Sequence, residues 1–178
     1  FMFSVAATPP WSLWDGKDYK NMSDQDEAKF RMIEYHKWKF KAKIFSPLAP
    51  LTVKRTPVLM TRVEYGFLGS YNKYKKSPFE TFYMGGDGMS GYSSTYATET
   101  IGLRGYENGS IAGNGGYNSY GYAYSRLSME LRYPFLLEPS STIYGLVFVE
   151  AGNAWRDLKD FNPFQLKRSA GVGVRIFL

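Results

Sequence analysis

The sequence predicts an all-β fold, an antiparallel sheet of the transmembrane β-barrel kind, and three observations carry that prediction. Side chains alternate between polar and apolar with a period of two along segment after segment. The connections between those segments alternate between short and long. No apolar run reaches the roughly 18 residues needed to cross a bilayer as a helix, although 44% of the chain is hydrophobic.

Six strands are expected, at about 1–9, 29–46, 57–71, 122–136, 142–155 and 167–178. The first, from Phe1 to Ala7, is the weakest pattern. The second is the strongest: in Lys37-Trp38-Lys39-Phe40-Lys41-Ala42-Lys43-Ile44, lysines alternate with apolar residues. Adjacent side chains of a strand point to opposite faces, so one face is Trp38, Phe40, Ala42 and Ile44 and the other is cationic. On a helix the same residues would scatter around the circumference. In the third strand Arg62 and Glu64 share a face. The fourth puts Leu127, Met129, Leu131 and Tyr133 on one side and Arg126, Ser128, Glu130 and Arg132 on the other. The fifth sets Val147 and Val149 against Glu150, and the sixth alternates Ser169, Gly171, Gly173 and Arg175 with Val172, Val174 and Ile176.

Connections 47–56 and 137–141 are short, whereas 10–28, 72–121 and 156–166 are longer and polar. Short turns at one end and long loops at the other are the layout of an outer-membrane barrel. A strand tilted by about 45° needs roughly 9–11 residues to cross the bilayer, longer than the usual strand of a soluble sheet. A soluble antiparallel sandwich with one wet face accounts for the alternation equally well. It accounts less well for aromatic residues at strand ends (Trp11, Trp14, Tyr65, Tyr71, Tyr133, Trp155), which suit the interfacial girdles of a membrane barrel. Phe1-Met2-Phe3-Ser4-Val5 has no basic leader or cleavage pattern, and Phe177-Leu178 closes no strand on a terminal aromatic. The chain is therefore expected to be one barrel domain, 1–178, incomplete at both ends.

Several chemistries find no support. His36 is the lone histidine and cysteine is absent, which removes His-rich metal sites and thiolate chemistry. Asp24, Asp26 and Glu27 read as a solvated loop end rather than a calcium site. Gly85-Gly86-Asp87-Gly88 is a single copy of what would have to be a repeat. The net charge of +6 raises nucleic acid as a partner, but Trp38 points away from the lysine stripe and cannot form a stacking platform with it. A lumen or rim stripe facing water and acidic lipid headgroups is expected instead. No cofactor, metal or nucleic acid is implied, and neither is an enzyme.

The 72–121 loop is the most distinctive segment. Loops of this length are functional or disordered, and Gly85, Gly86, Gly88, Gly91, Gly102, Gly105, Gly109, Gly113, Gly115 and Gly116 are interspersed with too many Tyr and Phe for a plain linker. It contains Phe82-Tyr83-Met84-Gly85-Gly86 and then Leu103-Arg104-Gly105-Tyr106; later strands carry Glu130 and Glu150-Ala151-Gly152-Asn153-Ala154-Trp155. This ordered set resembles the C-terminal barrel of the BamA-type assembly insertases of the outer membrane (the bacterial surface antigen family), in wording closest to the Bacteroidetes branch. Relatives serve two-partner secretion and organelle import. The hallmarks are Phe-x-x-Gly-Gly, an Arg-Gly-Phe/Tyr tip on a long external loop, and an acid-x-Gly-x-x-Trp strand.

The resemblance implies a barrel of about sixteen strands, of which six are readable here, in the bacterial outer membrane. It implies that the loop folds inward so that Arg104 meets Glu130 and Glu150, with Gly105 turning the tip and Tyr106 standing where Phe is commoner. It also implies insertion and folding of outer-membrane proteins through a seam between strands. The partners implied are unfolded clients, accessory assembly lipoproteins, outer-membrane lipid and lipopolysaccharide, and the rest of the same barrel. A polypeptide transporter of the two-partner-secretion type and a soluble glycan-binding β-sandwich are the alternatives.

Overall fold

The computed structural model describes residues 1–23, 26–50, 52, 55–87, 99–111, 120–138 and 141–177. Asp24, Gly88, Gly91, Gly113, Gly115, Gly116 and Leu178 fall outside them. Among the described residues, six long strands form one antiparallel sheet: β1 (Met2–Ala7), β2 (His36–Pro47), β3 (Val58–Gly69), β6 (Ala123–Glu138), β7 (Ser141–Trp155) and β8 (Lys167–Phe177), paired in that order. Two short strands inside the long loop, β4 (Phe82–Met84) and β5 (Glu99–Ile101), pair in parallel with each other. No described helix is long and apolar enough to cross a membrane. A strand of 12 residues such as β2 reaches about 40 Å at ~3.3 Å per residue, enough to cross a tilted path through the roughly 30 Å hydrocarbon core.

Among the described residues the sheet is open: β1 pairs only with β2 and β8 only with β7. Its two faces separate as the period-two pattern requires. On the outer face Phe3, Trp38, Phe40, Leu127, Met129, Leu131, Val147, Val149, Val172 and Ile176 are exposed apolar side chains. Ala42 shares that face but is buried, because its single methyl lies below the tips of its larger neighbours. On the inner face Glu64, Ser128, Glu130 and Glu150 are buried. A sheet with exposed aliphatics outside and buried carboxylates inside is inverted relative to a soluble sandwich and matches a barrel wall.

Three expectations need correction. The second strand begins at His36, not at residue 29: Asp26 accepts a hydrogen bond from the Ala28 amide and caps a short helix, α1 (Glu27–Phe30). After it, buried Glu34 accepts from the Ser12 amide and hydroxyl at 2.8 and 2.6 Å, pinning the 10–35 excursion to itself. Asp26 stays exposed, in keeping with a solvated loop end, while serving as the helix cap. The first strand ends at Ala7, just before Thr8-Pro9-Pro10, since proline removes a ladder donor. Trp155, expected in the aromatic girdle, is buried under Phe161, ring centroids 4.8 Å apart, because the 156–166 connection folds back across the outer end of the sheet.

The main hydrophobic cluster lies between the loop and the inner wall. Leu68, Tyr124 and Ala154 from the wall enclose Phe82, Met84, Ile101, Leu103 and Ile111 from the loop. The loop supplies most of the core of a sheet that otherwise has only one layer, and its apolar burial is worth roughly 1.5–3 kcal/mol per large side chain.

Candidate functional site: a loop clasped to the inner wall

The site is built in two steps, a seat and a clasp. The seat is the Phe82-Tyr83-Met84-Gly85-Gly86 segment. Phe82 exchanges both backbone hydrogen bonds with Gly121 at 2.9 and 2.7 Å, and on its other side the strand pairs with β5. Wall glycines make room for it. A Cβ at Gly66 would lie 2.9 Å from Phe82 Cζ, and one at Gly152 would lie 2.4 Å from Met84 Cε. The absence of side chains at these wall positions lets the loop approach closely.

Gly85 and Gly86 then receive the returning limb of the loop. The Gly85 amide donates to the Ile101 carbonyl and the Gly86 amide to the Tyr106 carbonyl, both at 2.9 Å. Both glycines have positive φ, 130° and 73°, a region that disfavours side chains. A Cβ on Gly85 would sit 2.1 Å from the Glu107 carbonyl oxygen. The two loop motifs are therefore two halves of one knot.

The clasp is Arg104. Its Nη2 lies 2.7 Å from Glu130 Oε1 and 2.7 Å from Glu150 Oε1, and its backbone amide donates to Glu150 Oε2 at 3.0 Å. The guanidinium carbon stands 3.6 Å over the Phe148 ring, adding a cation–π contact. Fork-to-fork pairing with one carboxylate does not occur. One nitrogen bridges two glutamates, and the backbone supplies the second hydrogen bond to Glu150. Gly105 turns the tip with φ 86°, and the Tyr106 hydroxyl donates to the Arg168 carbonyl at 2.8 Å on β8.

The carboxylates have further partners that sequence reasoning did not assign to the site. Arg126 donates from Nη2 to Glu150 Oε1 at 2.9 Å and from Nη1 to Glu64 Oε2 at 3.4 Å; the Ser128 hydroxyl donates to Glu150 Oε1 at 3.0 Å. Arg132 binds Glu130 Oε2 through Nε and Nη2 at 3.0 and 2.6 Å. The Glu130 and Glu150 side chains are 4% and 0% exposed, so each needs such donors to stay ionised. The signal was present: Arg126, Ser128, Glu130 and Arg132 share one face of a strand by alternation.

A second clasp holds the other limb of the loop. Glu99 on β5 binds Lys39 at 2.9 Å, Lys37 at 3.3 Å and Lys41 at 3.3 Å, and Glu80 binds Lys37 at 3.0 Å. The lysine stripe, expected to face water and lipid headgroups, is met instead by carboxylates of the loop. Burial pushes the Glu99 carboxyl up, but the hydrogen bond from Lys39 and the charges of Lys37, Lys39 and Lys41 outweigh it and hold it below the usual carboxylate range. Sequence reasoning missed Glu80 and Glu99 because neither lies in a periodic segment.

Thus Phe82, Gly85, Gly86, Arg104, Gly105, Tyr106, Glu130, Glu150 and Gly152 come together on the inner wall. Trp155 stands apart, on the outer face. Beneath Arg104 the lumen side opens into a polar cavity of about 390 Å³. The Omp85 superfamily domain matches residues 28–178, a span that takes in β2 to β8 and the whole loop. No curated protein sequence matches the chain.

Proposed function

The chain belongs to the Omp85 superfamily, and we propose that within it the protein is an assembly insertase of the BamA type, which folds barrel proteins into the bacterial outer membrane. Membership itself supports a role in outer-membrane protein insertion or transport. The observation that favours insertion is the burial of the loop. Phe82, Met84, Ile101 and Leu103 are at most 3% exposed between loop and wall, and two sets of ion pairs tie the loop down. A polypeptide threading the lumen would have to strip this core from the wall. An insertase working at an open strand edge leaves it in place.

In this reading the work involves no covalent chemistry. Unpaired backbone groups at a strand edge template the incoming strand of an unfolded client, the mode known as β-augmentation, while the loop braces the opposite wall. The apolar outer face meets membrane lipid and lipopolysaccharide. Accessory lipoproteins and the remaining barrel strands complete the machine.

The test is reconstitution of the full-length protein in lipid vesicles. Insertase action is expected to speed folding of an unfolded barrel client, read by its heat-modifiable migration, with little passage of an unfolded polypeptide into the vesicles. Transport into the lumen without accelerated insertion would favour the two-partner-secretion reading.

A further inference from the structure

We propose that the cavity beneath Arg104 is a binding site for an acidic peptide segment, with Lys43 and Arg62 as its unpaired anchors. Seven cationic and three acidic side chains line the cavity. Most of the cations are already engaged: Lys41 by Glu99, Arg104 and Arg132 by Glu130, and Arg126 by Glu150. Arg175 reaches only to 3.6 Å from Glu130. Lys43 and Arg62 have no carboxylate partner among the described residues.

These two are also direct cross-strand partners in the β2–β3 register. Like charges placed opposite each other on one face destabilise a sheet, and the neighbouring wall carboxylates Glu64 and Glu130 are taken up by Arg126, Arg104 and Arg132. Lys43 reaches only the Phe45 ring, at 4.9 Å. A cationic pair without a carboxylate partner beside a cavity is what an anion would complement.

The neighbouring contacts indicate which anion. Lys37, Lys39 and Lys41 belong to the same row as Lys43, and all three are met by one glutamate on an extended segment, with Glu99 Oε2 serving Lys37 and Lys39 and Oε1 serving Lys41. Lys43 is the next position along the row, and Glu99 makes no ion pair with it. A carboxylate on a second extended segment would continue the pattern, since every second residue of a strand advances about 6.6 Å on the same face. The Arg62 guanidinium matches a carboxylate through paired hydrogen bonds. Lipid headgroups do not fit this position, because the site is on the inner wall and the apolar belt is on the outer one. The site needs only that inner wall, whichever superfamily activity the protein performs.

The experiment uses the full-length protein in detergent micelles at constant ionic strength, with fluorescein-labelled hexaglutamate as probe and anisotropy as readout. Wild type is expected to bind hexaglutamate and not hexaglutamine. The Lys43→Gln/Arg62→Gln double variant should weaken binding by at least about tenfold, while Lys17→Gln, an exposed cation in the 10–28 connection, should leave it unchanged. Because the double variant also removes a repulsion, its thermal midpoint without probe should equal or exceed that of wild type. Undiminished binding by the double variant overturns the proposal. So does displacement of hexaglutamate by millimolar inorganic phosphate, which would mark a small-anion site, and so does a lowered thermal midpoint, which would mark the pair as structural.

Discussion

Arg104 holds Glu150 twice, through Nη2 on Oε1 at 2.7 Å and through its own backbone amide on Oε2 at 3.0 Å. The second contact belongs to the main chain, so it depends on where the loop lies and not on which side chain occupies the position. Glu150 is in turn shared with Arg126 and Ser128, and Glu130 with Arg132. The clasp is one member of a network.

The first prediction follows from that sharing. Arg104→Ala removes the guanidinium but leaves the amide contact and leaves both glutamates with another arginine. The expected loss is about 1.5–3 kcal/mol, the range for hydrogen bonds to charged groups, and not the roughly 3–5 kcal/mol of an orphaned buried charge. Exchanging charges, Arg104→Glu with Glu150→Arg, should fail to restore wild-type stability, because it sets an arginine against Arg126 and a carboxylate against Glu130. Protease sensitivity of the loop and the temperature of heat-modifiable migration measure both effects.

The lysine ladder makes the loop acid-sensitive. A carboxyl whose folded pKa is depressed, as that of Glu99 is, contributes stability above its unfolded value of about 4.3 and loses it as pH falls through the folded value. Loop protection against protease should therefore be full at neutral pH and fall on acidification below about pH 4. Glu99→Gln should be less protected at neutral pH and show a smaller drop. Identical pH profiles for the two proteins would remove Glu99 from the account.

Glycine substitutions should separate backbone from side-chain crowding. Gly85→Ala places a methyl against a backbone carbonyl at φ 130° and should cost about 1–3 kcal/mol. Gly152→Ala meets the movable end of Met84 at 2.4 Å and the Ser125 carbonyl at 2.9 Å, at an ordinary strand conformation, and should cost less. Urea midpoints in lipid vesicles would rank them, and the reverse order would contradict the knot between the two loop motifs.

The outer face can be tested by charge. Met129 is exposed there, mid-strand on β6. Met129→Arg should cost about 2–4 kcal/mol if it lies near the bilayer midplane, whereas Met129→Leu should be near neutral. An arginine tolerated at this position in lipid would argue against membrane contact by this face.

How much of this was legible in the sequence depends on the range of the interaction. Alternation sets which face of a strand each residue occupies, because side chains of a strand point alternately up and down. Lys37 to Ile44 and Leu127 to Tyr133 were therefore readable one residue at a time, and so were six strands of an antiparallel sheet. Residues 29–35 escaped, since a four-residue helix capped by Asp26 leaves too short a pattern to outweigh the extended one beside it. The motifs Phe82 to Gly86 and Arg104 to Tyr106 were visible as words but not as a knot.

What the fold alone decided is which distant charges meet. Glu99 stands about sixty positions from Lys39, and nothing in its immediate sequence marks it as the residue that closes the lysine ladder. Arg126 was placed on the right face by period two, but its grip on Glu150 and Glu64 required the register of three adjacent strands. Facing is a local property of the backbone, whereas partnership is set by strand order and loop path, and these exist only once the chain has folded.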